Sequence, residues 1–99
     1  MGRDARLRPE RLPEKLLAIR LALGLSQTEM LRRLGLEDKL WYTQISGYEL
    51  GRSLPPPTVL LQYARVANVY VEALIDDDLD LPARLPSAKK HEGVRRRGK

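Results

Sequence analysis

The chain has 99 residues, a formal net charge of +5, no cysteine and no phenylalanine. This length supports one small domain, and the lack of cysteine excludes a disulfide framework, a thiolate nucleophile and a cysteine metal site. No apolar stretch approaches the roughly 20 residues that a membrane-spanning helix needs, so we expect a soluble, cytoplasmic protein. The only histidine, His91, lies in a stretch without apolar periodicity. We therefore expect no enzyme activity, no metal and no cofactor.

The positive charge is concentrated at the two ends of the sequence. Residues 1–11 carry a net charge of +2 and residues 82–99 a net charge of +6, whereas residues 12–81 carry −3. Overall basicity therefore says little about a nucleic-acid partner. We predict a basic N-terminal arm (1–11), one domain (12–81) and a basic disordered tail (82–99). The arm either contacts phosphate or the minor groove, or is a solvated terminus. The tail either adds sequence-independent attraction to DNA, or binds a partner, or is simply solvated.

The first predicted helix begins at Pro13, since a missing N–H costs nothing in a first turn, and it ends at Gly24. Its predicted buried stripe consists of Leu16, Leu17, Ile19 and Leu23.

The second predicted helix begins with a capping box. Ser26 precedes Glu29 by three residues, so each side chain can satisfy an open backbone donor of the first turn. Gly35 ends the helix, because glycine accepts the left-handed conformation of a C-terminal cap. Gln27 projects from the helix start, where it is either a phosphate ligand or an exposed polar residue. The predicted apolar stripe consists of Met30, Leu31 and Leu34.

The third predicted helix has one face of small, uncharged polar residues. Thr43, Gln44 and Gly47 share this face at helical spacing, and the opposite face contains Ile45, Tyr48 and Glu49. A face selected for solubility would carry lysine and glutamate. Glutamine can instead bond adenine through two atoms, and a threonine methyl can contact a thymine methyl. The pattern indicates a surface that reads base edges.

The runs LGLSQTEMLRRLG and ISGYELGRSLPPP resemble the lambda-repressor-like helix-turn-helix family, also called the XRE or Cro-type family. The resemblance covers roughly residues 12–74. It implies an all-α, compact five-helix DNA-binding domain that contains a helix-turn-helix. It also implies an ion pair between Arg20 and Glu49 that clamps the first helix to the third, and a bridge from Gln27 to the DNA backbone. The residues that carry it are Arg20, Leu23 to Gln27, Gly35, Ile45, Ser46, Glu49, Gly51 and Pro55.

The sequence departs from the family pattern between Gly35 and Ile45, where the turn is about four residues longer, close to one helical turn. Either residues 36–41 form a longer loop, or Asp38 caps a third helix that is extended backwards. We favour the loop, which places Lys39 and Tyr42 at the DNA surface. Trp41 is expected to pack in the core.

Two further residues depart from the family pattern. Leu31 stands where the family commonly has a small residue, and its bulk would push the two helices of the motif apart unless the longer turn accommodates it. Gly47 costs the third helix about 1 kcal/mol relative to alanine, where the family often has a longer contact residue. Either the helix approaches DNA very closely there, or a base contact has been given up.

Two more helices are expected to complete the domain. Pro55, Pro56 and Pro57 impose an extended lead-in to the fourth helix, and Asn68 is its expected left-handed cap. The resemblance implies a short fifth helix near Val71. The acidic run at residues 76–80 lacks the glycine and terminal glutamate of a calcium loop. It should face away from DNA. The predicted stripe of the fourth helix consists of Val59, Leu60, Tyr63, Ala64 and Ala67.

These patterns predict a small transcriptional regulator that binds a double-stranded DNA operator, and we favour a repressor over an activator. Because one such domain buries only about 600–1,000 Å² on DNA, we expect a homodimer. The alternative is an antitoxin-like or adapter protein that binds another protein, for example through its tail. The candidate base-reading residues are Tyr42, Thr43, Gln44, Ser46 and Gly47; the candidate phosphate ligands are Gln27, Lys39 and Arg52; the structural clamp is Arg20 with Glu49.

Overall fold

The computed structural model describes residues 8–86 of the chain. This part of the chain forms five α-helices and contains no β-strand, so the prediction of an all-α, five-helix domain is confirmed. The predicted roles of residues 1–7 and of residues 87–99, including His91, lie outside the described residues. The helices are α1 (Leu12–Ala22), α2 (Gln27–Arg33), α3 (Tyr42–Glu49), α4 (Pro57–Ala67) and α5 (Val71–Ile75).

The first four helices end in the same hydrogen-bonding motif. After each of these helices, one residue within two positions of the helix end has a φ between 63° and 76°. The backbone amide of the residue that follows it donates to the carbonyl five residues earlier. This arrangement satisfies carbonyls that have no partner inside the helix. The helix ends predicted at Gly24, Gly35 and Asn68 are therefore confirmed. The bonds run from Leu25 to Arg20, Leu36 to Leu31, Arg52 to Gly47 and Val69 to Ala64.

The core lies where α1 packs against α3 and α5, α2 against α3, and α4 against α5. The predicted stripe of α1 is partly wrong, because Leu17 and Leu23 are only half-buried and Leu12 takes a core position. The helix begins at Leu12, one residue before the predicted start, and its buried residues, Leu12, Lys15, Leu16 and Ile19, share one face at helical spacing. The largest fully buried side chains are Tyr63, Leu12, Leu16, Ile19, Met30, Ile45 and Leu74.

The lengthened turn between α2 and α3 is a loop, as the sequence analysis favoured. The Leu36 carbonyl accepts hydrogen bonds from the amides of Lys39 and Leu40, both at 2.9 Å. Leu36 and Leu40 are half-buried and pack against the core. The prediction that Trp41 packs in the core is wrong: it is 75% exposed. Leu36 and Leu40 take the inward positions of the loop, and Trp41 is left on its outer side.

Lys15 is buried on the core side of α1, with only 2% of its surface exposed. Its ammonium donates to the carbonyls of Ala73 at 2.8 Å, Asp76 at 3.0 Å and Leu79 at 2.7 Å. The last carbonyls of a helix lack internal partners and favour a nearby cation. All three ammonium donors are used, so this charge is buried with its hydrogen bonds satisfied and fastens α1 to the end of α5.

The acidic run after α5 holds the start of α1. The carboxylate of Asp77 accepts hydrogen bonds from the backbone amides of Arg11 at 3.0 Å and Glu10 at 2.9 Å. These bonds lower the pKa of Asp77. The Arg11 guanidinium also donates to Asp80 at 2.7 Å. Glu10 and Arg11, predicted to belong to the arm, are thus joined to the domain, and Leu85, predicted to belong to the tail, packs against the core.

We expect Asp77→Asn to lower the melting temperature at pH 7, because one neutral amide oxygen replaces a carboxylate that accepts two amide hydrogen bonds. The folded pKa of Asp77 lies below its ordinary value of 3.8. The stabilisation is therefore complete above the ordinary value and is lost as the pH falls through the folded value. Melting curves followed by circular dichroism should show the two proteins converging below about pH 4. The control is Asp78→Asn, and an equal loss in this control would contradict the assignment.

We expect Leu31→Ala to lower the free energy of unfolding by about 2 kcal/mol or more, because it leaves a cavity in the core. Leu31 is only 6% exposed. Urea denaturation gives the difference directly. Leu61→Ala, at a residue of α4 that is 38% exposed, should cost clearly less. A neutral result for Leu31→Ala would show that the side chain is not needed for packing.

Candidate nucleic-acid interface

The start of α2 is fixed by the predicted capping box. The hydroxyl of Ser26 accepts the Glu29 amide at 3.0 Å, and the Glu29 carboxylate accepts the Ser26 amide at 2.8 Å. The bond from the Ser26 backbone is the main reason why the pKa of Glu29 is lowered. The helix therefore begins at Gln27, as predicted, and the Gln27 side chain belongs to its first turn.

Glu49 joins three helices through one carboxylate. Its Oε2 accepts from Arg20 Nε at 2.6 Å, and its Oε1 accepts from Arg20 Nη2 at 3.0 Å and from Gln27 Nε2 at 3.1 Å. Arg20 Nη1 also donates to the Leu25 carbonyl at 2.9 Å, just before α2. The Arg20 and Glu49 pair that the resemblance implies is present. Together with Gln27 it sets the position of α2 relative to α3.

The Arg20–Glu49–Gln27 cluster is largely removed from water. The side chain of Glu49 is 4% exposed and that of Arg20 is 15% exposed. The hydrogen bond to Glu49 raises the pKa of Arg20, so the guanidinium stays charged at any physiological pH. Burial, followed by the negative charge of Glu49, raises the pKa of the nearby Tyr63 hydroxyl, which stays neutral.

The outward face of α3 is open to solvent. Tyr42, Thr43 and Gln44 are exposed, whereas Ile45, Tyr48 and Glu49 are buried. No other part of residues 8–86 covers Thr43 or Gln44. The helix thus presents the face that the sequence pattern assigned to base edges, and Ser46, half-buried, lies at its margin.

Gln44 makes a hydrogen bond within the chain that the sequence analysis missed. Its side-chain oxygen accepts a hydrogen bond from the backbone amide of Trp41 at 2.9 Å, and the backbone amide of Gln44 donates to the Trp41 carbonyl at 2.9 Å. Trp41 occupies the N-cap position of α3 but has no side-chain acceptor. Gln44 therefore holds the start of α3, while its NH₂ group and a second lone pair of its oxygen remain for another partner.

Gly47 has a close neighbour within the chain. A Cβ atom at this position would lie 3.2 Å from Ser53 Oγ. The Gly47 carbonyl also accepts the Arg52 amide at 2.8 Å, so the turn after α3 folds back over this residue. The two explanations offered from the sequence, close approach to DNA or a lost base contact, did not include this neighbour. The absence of a side chain suits the turn, and it supports no base contact by itself.

The three candidate phosphate ligands come from three different segments. Gln27 begins α2, Lys39 is exposed in the loop before α3, and Arg52 is exposed just after α3. Gln27 spends one amide proton on Glu49 and keeps the other. The backbone of Arg52 is fixed by its bond to Gly47. The structure brings Gln27 to α3 through Glu49, and it places Lys39 and Arg52 at the two ends of the same helix.

Comparison with family models matches residues 16–74 to the helix-turn-helix family of lambda-repressor (XRE) type. The matched residues run from α1 into α5 and make up more than half of the chain. The chain belongs to the lambda-repressor-like helix-turn-helix family. This is a family of DNA-binding regulatory domains. No curated protein and no solved structure shows a significant similarity to the chain.

Residues 8–86 of this helix-turn-helix protein contain neither a candidate membrane span nor a candidate metal cluster. Among residues 8–86, no helix is both long and apolar enough to cross a bilayer. In the same part of the chain, no three histidine, cysteine, aspartate or glutamate residues are grouped so that they could hold a metal ion.

We expect Arg20→Met to lower the free energy of unfolding by roughly 3–5 kcal/mol, because it leaves the buried carboxylate of Glu49 without its charged partner. The double variant Arg20→Met with Glu49→Leu removes both charges and should recover a clear part of this loss. Urea denaturation of both single variants and the double variant measures the coupling between the two residues. If the two single losses simply add in the double variant, the two residues do not act as a clamp.

Proposed function

We propose that this protein is a transcriptional regulator that binds a specific double-stranded DNA operator, with α3 lying in the major groove. The observation that carries the proposal is the exposed, uncharged face of α3 in a chain of this family. Thr43 and Gln44 stand at the centre of that face. As the family resemblance implies, the expected effect on transcription is repression.

The proposed contacts divide into two kinds. Tyr42, Thr43, Gln44 and Ser46 are placed to contact base edges or the atoms beside them, and these contacts select the sequence. Gln27, Lys39 and Arg52 are placed to contact phosphates, which set the register of the protein on the duplex. The bond from Gln27 to Glu49 supports this division, because a phosphate held by Gln27 would be coupled directly to α3.

We further propose that the regulator acts as a homodimer on a two-fold operator in the cytoplasm, where its DNA would be. One domain of this size covers only about 600–1,000 Å² of protein surface on DNA, so two copies are needed for a useful preference. The surface around α5 is the candidate dimer contact. It carries three exposed apolar side chains: Tyr70, Ile75 and Leu79.

The charge distribution supports a second candidate function. Residues 12–81 carry a net charge of −3 and residues 82–99 a net charge of +6. An antitoxin-like or adapter protein could use such a tail to bind an acidic protein surface, with DNA binding as a secondary property.

The operator can be selected from a pool of random duplexes and used to test the role of Gln44. We expect Gln44→Ala to cost about 1–3 kcal/mol of discrimination between operator and random DNA, because the amide that pairs with a base is lost. Weaker, non-specific binding should remain. Fluorescence anisotropy with labelled duplexes measures both affinities.

Gln62→Ala, which removes an amide from α4, is the matched control and should keep the preference. Because Gln44 also caps α3, the variant should be about 1 kcal/mol less stable, and binding must be measured well below its melting temperature. An unchanged preference in Gln44→Ala would defeat the assignment of this residue to base reading. A wild-type protein that enriches no duplex would favour the protein-binding alternative.

A further inference from the structure

Trp41 is the most exposed of the large apolar side chains among residues 8–86, at 75%. It is also the only tryptophan in the chain. Tyr42, the next residue, is 51% exposed, so two consecutive residues at the start of α3 carry exposed aromatic side chains. Aromatic side chains with a polar tip are enriched where proteins contact their partners. Neither the core nor the proposed set of DNA contacts accounts for Trp41.

The backbone of Trp41 is held in place on both sides. Its backbone amide donates to Gln44 Oε1 at 2.9 Å, and its carbonyl accepts a hydrogen bond from the backbone amide of Gln44 at 2.9 Å. Leu40, the preceding residue, packs against the core. Trp41 itself is 75% exposed, so the ring lies outside the core with no partner bound. Because the backbone of residue 41 is already ordered, binding costs only the rotational freedom of the side chain.

The loop that carries Trp41 does not attract DNA by charge. It contains Glu37 and Asp38 against a single base, Lys39, and all three are exposed. The net charge of these three residues is −1, so the loop as a whole does not attract phosphate. The duplex also has apolar atoms at the rim of its major groove, namely the deoxyribose carbons and the thymine methyl groups. A neutral indole suits these atoms better than it suits a phosphate.

We propose that the Trp41 indole packs against these apolar rim atoms of the operator where α3 enters the major groove. This inference rests on the proposed function, since it needs the adjacent residues Tyr42 and Thr43 to face the same groove. It assigns the lengthened turn to DNA recognition: the extra residues put an aromatic ring beside the base-reading face. The contact adds affinity without releasing counterions.

The tryptophan itself reports the contact. Titration of the wild-type protein with the selected operator should shift its emission and protect it from acrylamide quenching. Trp41→Ala should weaken operator binding on the order of tenfold. The slope of log affinity against log salt should stay unchanged, because no phosphate contact is lost. Arg52→Ala, the matched comparison, should instead reduce that slope by about 0.9, the value for one phosphate contact.

Two further arms separate the possible sources of the contact. Replacing single thymines of the operator by deoxyuridine removes one methyl group at a time. A loss at one position in the wild-type protein, absent in Trp41→Ala, assigns the contact to that methyl. A loss in Trp41→Ala with no thymine dependence assigns it to deoxyribose. Since Gln44 bonds only the backbone of residue 41, Trp41→Ala should keep its fold, which circular dichroism checks.

The proposal is overturned if Trp41→Ala binds the operator as the wild-type protein does, or if operator binding leaves the emission and its quenching unchanged. Protection of Trp41 by a protein partner and not by DNA would overturn it as well. These results leave the proposed function standing as long as Gln44→Ala still loses its preference. A wild-type protein that binds no duplex overturns both proposals together.

Discussion

The carboxylate of Glu49 is the point on which the geometry of the motif depends. The two helices of the motif have 7 and 8 residues, too few to be stable alone in water. Their relative position must come from tertiary contacts. Glu49 supplies one that is sensitive to position, because a carboxylate that is 4% exposed needs its donors from Arg20 and Gln27 in place. A shift of either helix would leave a desolvated charge short of a partner, which is strongly unfavourable.

Charged side chains also fix the position of α1 near its N-terminal end. Lys15 places a buried ammonium on carbonyls at the end of α5, and Asp77 places a carboxylate on amides at the start of α1. Each charge meets backbone groups that a helix cannot satisfy internally. These hydrogen-bonded charges therefore hold neighbouring helices together. The outward face of α3 is left without charged side chains, and its exposed residues are Tyr42, Thr43 and Gln44.

Features that depend on a few neighbouring residues could be predicted from the sequence. The glycines that end α1 and α2, the Ser26 and Glu29 box and the two faces of α3 are local patterns. Lys15 and Asp77 could not be placed, because their partners are separated from them by 58 to 67 residues. Lys15 did leave one signal, since it shares a helical stripe with Leu12 and Ile19. The approach of Ser53 to Gly47 could not be predicted either, because the turn that contains Ser53 lies beyond the end of α3.

The lengthened turn shows how an insertion can be more than a spacer. Its two leucines, Leu36 and Leu40, pack against the core, so the loop is anchored. The N-cap of α3 then falls on Trp41, although serine or aspartate there would stabilise the helix by about 0.5–2 kcal/mol more than an apolar residue. Gln44 repairs only part of this by accepting the Trp41 amide. A residue that caps poorly, and that gains nothing from the core because it is exposed, is best explained by what it contacts outside the chain.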